Sequence, residues 1–200
     1  MCLLCICLAV FVVICVSEKS TLTYYLLYRY FRLYSEYLFF KETDDSPADF
    51  HTRVVNSTNN MSQCLKDYSI RACVYFGRPN MYYREMYQVR LPLGLYHIFL
   101  EDILRAFNRK QILVVKLEKY SKQMAITLQN IFTFLDVGQI SDKKLFQEII
   151  SNTIYNKRTK ADLKLGHMLP ETRRLLSNFY KPYNQRLAIL LGSEFDYNRE

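Results

Sequence analysis

The sequence predicts an α/β layer fold that is mostly helical with few parallel strands. Long stretches place apolar side chains at helical spacing. One run, residues 111–117 (QILVVKL), is rich in β-branched residues and bounded by polar ones, the composition of a strand. That run lies between two helical stretches, and helix–strand–helix order belongs to layered α/β proteins. Two hundred residues, half of them apolar, suffice for a domain with its own core. An aromatic share of 15% excludes a solvated, disordered chain. The absence of Trp, with only five Gly and five Pro, argues against a small loop-rich scaffold.

From the N-terminus, residues 2–16 form an unbroken apolar run ending at Ser17-Glu18-Lys19. A membrane-spanning helix needs roughly 20 apolar residues, and no basic residues precede this run. Three readings stand: a signal peptide or short signal-anchor, a buried strand, or an artefact of a truncated gene model. Membrane targeting is favoured among them, with residues 1–20 as leader and 21–200 as the folded body. Residues 23–40 carry a helical stripe of Tyr30, Leu33, Tyr34, Tyr37 and Leu38. Residues 48–57 suit a short helix, followed by a polar stretch to residue 60. Residues 65–75 have helical period, and Gly77-Arg78-Pro79-Asn80 reads as a turn.

Residues 93–107 predict an amphipathic helix with Tyr96, Phe99, Leu100, Ile103, Leu104 and Phe107 inward and Glu101, Asp102 and Arg105 outward. After the strand, residues 119–135 return to helical period, with Gly138 placed to stop the helix. Residues 142–150 suit another short helix. Residues 156–166 read as a basic loop with Lys157, Arg158, Lys160 and Lys164. Pro170 opens a last helical region, kinked or divided at Pro182, which lacks an N–H.

Charge and cysteines bound the function. Twenty-seven basic against nineteen acidic residues give a net charge of +8, a field that attracts polyanions: nucleic acid, anionic membrane or sulfated glycan. Cys2, Cys5, Cys7 and Cys15 lie in the leader with no His or second cysteine pair nearby, which argues against a metal site. Cys64 and Cys73 are either a disulfide, if the body is exported, or two unlinked buried thiols. The sequons Asn56-Ser57-Thr58 and Asn60-Met61-Ser62 support export.

The first chemical candidate is Arg32-Leu-Tyr-Ser35. A guanidinium and a hydroxyl three residues apart on a helix share a face and can reach one phosphate. With it come, in order, Asp67-Tyr-Ser-Ile-Arg-Ala-Cys73-Val-Tyr, Leu95-Tyr, Ile112-Leu-Val-Val-Lys-Leu-Glu118-Lys-Tyr, Gly166-His-Met-Leu-Pro-Glu-Thr and Phe179-Tyr-Lys-Pro-Tyr-Asn-Gln-Arg-Leu-Ala188. This ordered series resembles the C-terminal part of the Golgi carbohydrate sulfotransferases, over roughly residues 31–195. Within that family it resembles the enzymes that 6-O-sulfate N-acetylgalactosamine 4-sulfate in chondroitin and dermatan sulfate.

The resemblance implies a P-loop-like sulfotransferase fold, incomplete here, and 3′-phosphoadenosine 5′-phosphosulfate (PAPS) as sulfate donor. It also implies a sulfated glycosaminoglycan acceptor rather than nucleic acid, and a Golgi membrane protein with a lumenal body. In the family, a strand and helix bearing Arg-Asp-Pro-x-x-Arg-x-x-Ser hold the 3′-phosphate. Ser35 matches the serine and Arg32 the second arginine. Leu27 stands at the first arginine's place, with Tyr28 and Arg29 at the Asp-Pro positions. Arg29 is a poor substitute, since helical geometry turns it about 200° from residue 27. Lys160 and Lys164, with Lys157 and Arg158, match a basic loop near the nucleotide, where lysine acts as a point charge.

The 5′-phosphosulfate loop and the base beside it have no counterpart before Arg32, so a truncated, inactive sulfotransferase is expected and no catalytic residue is assigned. Glu118 reads as a structural acceptor at a strand end, and His51, His97 and His167 are too scattered to suggest a base. The reading from a different class is a non-catalytic, membrane-tethered module that binds sulfated glycan or a paralogous sulfotransferase through its basic surface. No oligomeric state follows from the sequence.

Overall fold

The computed structural model describes residues 4–8, 12–16, 22–26, 29–39, 46–78, 86–151 and 160–199. Strands β1 (Leu4–Leu8), β2 (Val12–Val16) and β3 (Leu22–Leu26) come first. Helices α1 (Arg29–Phe39), α2 (Pro47–Asp67), α3 (Ile70–Tyr75) and α4 (Tyr96–Ala106) follow. After β4 (Ile112–Lys116) come α5 (Leu117–Lys122), α6 (Met124–Leu135), α7 (Lys143–Ser151), α8 (Lys160–Lys164) and α9 (Pro170–Leu191). The described chain is thus mostly helical. It divides into two units, residues 1–27 with 102–157 and residues 28–101 with 158–200.

In the first unit, β1 pairs antiparallel with β2, Leu4 opposite Val16, and β3 pairs parallel with β4, Leu22 opposite Ile112 and Lys116 opposite Leu26. The described residues of the leader, for which a buried strand is one of the three readings, form a hairpin, as their Val- and Ile-rich composition favours. Among the described residues no helix is long and apolar enough to cross a membrane. One expectation changes here: the helix expected from residue 23 begins only at Arg29. Leu22-Thr-Tyr-Tyr-Leu26 is β-prone, and its ladder to β4 overrides the helical spacing of its apolar residues. In β4, adjacent Val114 and Val115 are both buried, as in a parallel strand covered on both faces.

The helical stretch after β4 is two helices. The Gln123 N–H closes α5 on the Lys119 carbonyl, and the Gln123 carbonyl opens α6 by accepting from Thr127 N–H and Oγ. Asp136, in the left-handed region at φ 54°, ends α6, two residues before Gly138. Asp142 caps α7, its carboxylate accepting from the N–H groups of Lys144 and Leu145.

The second unit is built on α2. Ser46 caps it, accepting from Asp49 N–H, and Pro47 occupies the first turn, where no N–H is needed. The helix runs through the polar stretch expected to break it. Thr58 and Ser62 hydroxyls donate back to carbonyls one turn earlier, Val54 at 3.0 Å and Thr58 at 2.9 Å, so burial of Thr58 leaves its hydroxyl satisfied. It ends at Asp67, and Ser69 caps a separate α3. Cys64 at the end of α2 and Cys73 in α3 form a disulfide, Cα to Cα 5.9 Å, which settles the two alternatives for that pair.

Beneath these helices lies a core of Tyr34, Tyr37, Phe50, Met61, Leu91, Leu95, Leu176 and Tyr180, among others. Leu91–Gly94 is a 3₁₀ turn leading into α4, a few residues shorter than expected at its start. Tyr180 of α9 donates to the Leu91 carbonyl at 2.7 Å. Helix α9 is continuous through Pro182. The carbonyl that loses its donor, that of Asn178, lies on the exposed face, where water can take the bond.

Candidate functional site

Helix α1 buries Leu33, Tyr34, Tyr37 and Leu38 and leaves Ser35 exposed between them. Leu33, Tyr34, Tyr37 and Leu38 of the stripe predicted from the sequence are therefore the buried face, which fixes which way Ser35 projects; the Tyr30 side chain lies outside the described part. The helix is clamped on several sides. The Tyr37 hydroxyl donates to Asp49 Oδ2 at 2.7 Å and accepts from Ser46 N–H at 2.9 Å. The rings of Tyr34 and Tyr37 both pack on Phe50. Arg32 stands one turn before Ser35 on the same helix, as expected; its side chain, together with Leu27 and Tyr28, lies outside the described part.

The basic segment reaches α1 through Tyr34. Its hydroxyl donates to the Gly166 carbonyl at 3.1 Å, across 132 positions of sequence. Gly166 lies two residues beyond Lys164, at φ 86°, a conformation that favours glycine. Leu165 and Met168 on either side of it pack on the core. At the start of α9, the Thr172 hydroxyl lies 2.8 Å from His51 Nδ1 of α2. The segment is thus pinned at three places, while Lys160 and Lys164 remain exposed. Lys160–Lys164 is a short helix where a loop was expected; Lys157 and Arg158 lie outside the described residues.

The electrostatics around Ser35 depend on its neighbour. Glu36 places a carboxylate next to a position expected to face phosphate. Arg90 Nε holds its Oε1 at 2.9 Å and offsets that charge. Sequence reasoning did not find Tyr34 as a tether or Arg90 as a counter-charge. For Tyr34 a signal existed: a tyrosine on a core-facing stripe must find an acceptor for its hydroxyl. For Arg90, 54 positions from its partner, no local pattern exists.

The remaining candidates scatter. His51 holds Thr172, His97 is buried with its ring stacked on Tyr183 at 5.5 Å between centroids, and His167 is exposed. Burial pushes the Tyr183 phenol above its ordinary pKa, with the Arg186 charge pulling the other way. Glu118 lies in the first turn of α5, in the other unit. Among the described residues no group of His, Cys, Asp and Glu is placed to hold a metal ion.

An exposed serine on a clamped helix, joined through Tyr34 to an exposed lysine pair, can receive an anion, and the family follows from comparison. The chain belongs to the sulfotransferase family: the model of the sulfotransferase domain matches residues 31–179. It is similar to carbohydrate sulfotransferase 15 of Homo sapiens and of Rattus norvegicus, 38% identical to each over 165 residues, or 82% of this chain and 28% of those proteins. It is also similar to carbohydrate sulfotransferase 15 of Nototodarus sloanii, 34% identical over 144 residues, 72% of this chain and 87% of that protein. The chain therefore spans little more than a quarter of the human and rat relatives it matches. No solved structure matches it.

Proposed function

We propose that this chain is a carbohydrate sulfotransferase-family protein that binds PAPS and a sulfated glycosaminoglycan, in the context of 6-O-sulfation of N-acetylgalactosamine 4-sulfate. The observation that carries the donor half is the Tyr34–Gly166 hydrogen bond, which ties the helix bearing Ser35 to the segment bearing Lys160 and Lys164. In this reading Ser35 donates its hydroxyl to the 3′-phosphate, with Arg32 beside it. Lys160 and Lys164 supply mobile positive charge for the remaining phosphate groups. PAPS, when bound, supplies the sulfuryl group. The parallel pairing of β3 with β4, and the order of β3 followed by α1, support a P-loop-like sulfotransferase architecture.

A Golgi lumenal setting is part of the same proposal. The Cys64–Cys73 disulfide supports it, since disulfides persist in the secretory pathway and rarely in the cytosol. Of the two sequon asparagines, Asn56 is exposed, its Nδ2 donating to Gln88 Oε1 at 3.2 Å, whereas Asn60 is half-buried and its Nδ2 donates to the Met86 carbonyl at 3.0 Å. By its exposure alone Asn56 is the better placed to carry a glycan.

The test is calorimetric titration of PAPS into the purified chain at low salt, beside Lys160→Ala combined with Lys164→Ala. Both lysines are exposed, so the variant is expected to keep its fold. Binding that weakens about tenfold in the variant and becomes less salt-dependent is the expected result; each exposed cation contributes roughly 0.5–1 kcal/mol at low ionic strength. No PAPS binding by the unmodified chain overturns the donor half of the proposal.

A further inference from the structure

Helix α9 carries a line of exposed polar side chains that the donor site does not use: Arg174, Asn178, Lys181 and Gln185. Their spacings of four, three and four residues keep them on one face, opposite buried Leu176, Tyr180 and Leu187. At about 1.5 Å rise per residue the line is about 16 Å long. Cations alternate with amides along it, and exposed Glu171, one turn before Arg174 on the same face, marks the end of the cationic stretch. None of the four side chains hydrogen-bonds or pairs with another described residue, so each is available to a ligand.

We infer that this face of α9 is a docking track for a sulfated linear polysaccharide, an inference resting on the proposed glycan-directed function. The chemistry selects the occupant. Arg174 and Lys181 complement sulfate or carboxylate groups spaced two helical turns apart. Asn178 and Gln185 offer donors and acceptors to the hydroxyl groups between them. No aromatic side chain lies in the line, whereas single-stranded nucleic acids are gripped by base stacking on aromatic platforms. Nor is the face the apolar stripe that an interfacial membrane helix buries. Arg174 lies two residues beyond Thr172, the residue that His51 holds, so the track begins beside the segment tied to α1.

The experiment measures binding of the full chain to chondroitin 4-sulfate, to the same polymer chemically desulfated, to a single-stranded RNA and to phosphatidylserine vesicles. Arg174→Ala with Lys181→Ala is expected to weaken chondroitin 4-sulfate binding at least tenfold at low salt. The slope of log K against log salt should fall by about 1–2, from the two cations removed. Asn178→Ala with Gln185→Ala should weaken the sulfated and desulfated polymers by the same factor. PAPS binding should stay as in the unmodified chain. Chondroitin 4-sulfate binding unchanged in the Arg174/Lys181 variant overturns the track, as does tighter binding of RNA or vesicles than of the sulfated polymer. The outcomes separate from those of the donor reading. Failure to bind PAPS with glycan binding that depends on Arg174 and Lys181 removes the donor site and leaves the track; the converse removes the track alone.

Discussion

Replacing Gly94 by alanine is expected to destabilise the protein by about 2–4 kcal/mol, lowering Tm by roughly 10 °C for a chain of this size. A methyl group on Gly94 would stand 2.6 Å from the Tyr180 hydroxyl oxygen and 2.8 Å from two of its ring carbons. Tyr180 cannot swing aside. It is 1% exposed, and its hydroxyl is committed to the Leu91 carbonyl at 2.7 Å. Either the ring shifts and a buried carbonyl loses its donor, or the 3₁₀ turn moves and α4 starts out of register with the core. Adding Tyr180→Phe removes the nearest clashing atom, so the double variant should lose less stability than the sum of the singles. Chemical denaturation of the four proteins checks this; strictly additive losses would mean that Gly94 and Tyr180 do not meet.

Loss of the Cys64–Cys73 disulfide is expected to cost about 2–3 kcal/mol. The two cysteines are nine positions apart, and a cross-link closing a loop of about ten residues removes that much unfolded-chain entropy in the loop-closure account. Both cysteines are buried, and the Tyr87 hydroxyl donates to the Cys73 carbonyl at 2.9 Å. Much of the packing at the α2–α3 junction therefore survives without the bond. Cys64→Ala with Cys73→Ala should unfold at lower urea than the oxidised protein and be insensitive to dithiothreitol. The unmodified protein should lose its advantage once reduced. A urea midpoint unmoved by reductant would contradict the bond.

The sequence showed features whose cause is local. β4 was readable because a β-branched run between polar residues has few other uses, and the buried face of α1 because its stripe holds helical period over two turns. Residues 22–26 misled for the same reason. Their spacing suits a helix, but a partner strand 90 positions away decides their state, and no window of sequence contains it. The continuity of α2 was hidden by its polar middle, since Thr58 and Ser62 satisfy their hydroxyls inside the helix itself. Of the site, the residue types of Ser35, Lys160 and Lys164 were legible through the ordered family motifs. What joins them, a tyrosine hydroxyl reaching a carbonyl 132 positions on, was not.

In the proposed donor site the Ser35 face of α1 receives the 3′-phosphate of the nucleotide. A cycle that changes protein and ligand together decides this: the unmodified chain and Ser35→Ala, each titrated with 3′-phosphoadenosine 5′-phosphate and with adenosine 5′-phosphate. Ser35 is exposed, so its replacement leaves the buried stripe of α1 untouched. A hydrogen bond to a charged group contributes about 1.5–3 kcal/mol, so Ser35→Ala should weaken the first ligand by roughly 10- to 150-fold and leave the second unchanged. Equal weakening of both ligands, or none of either, would contradict it.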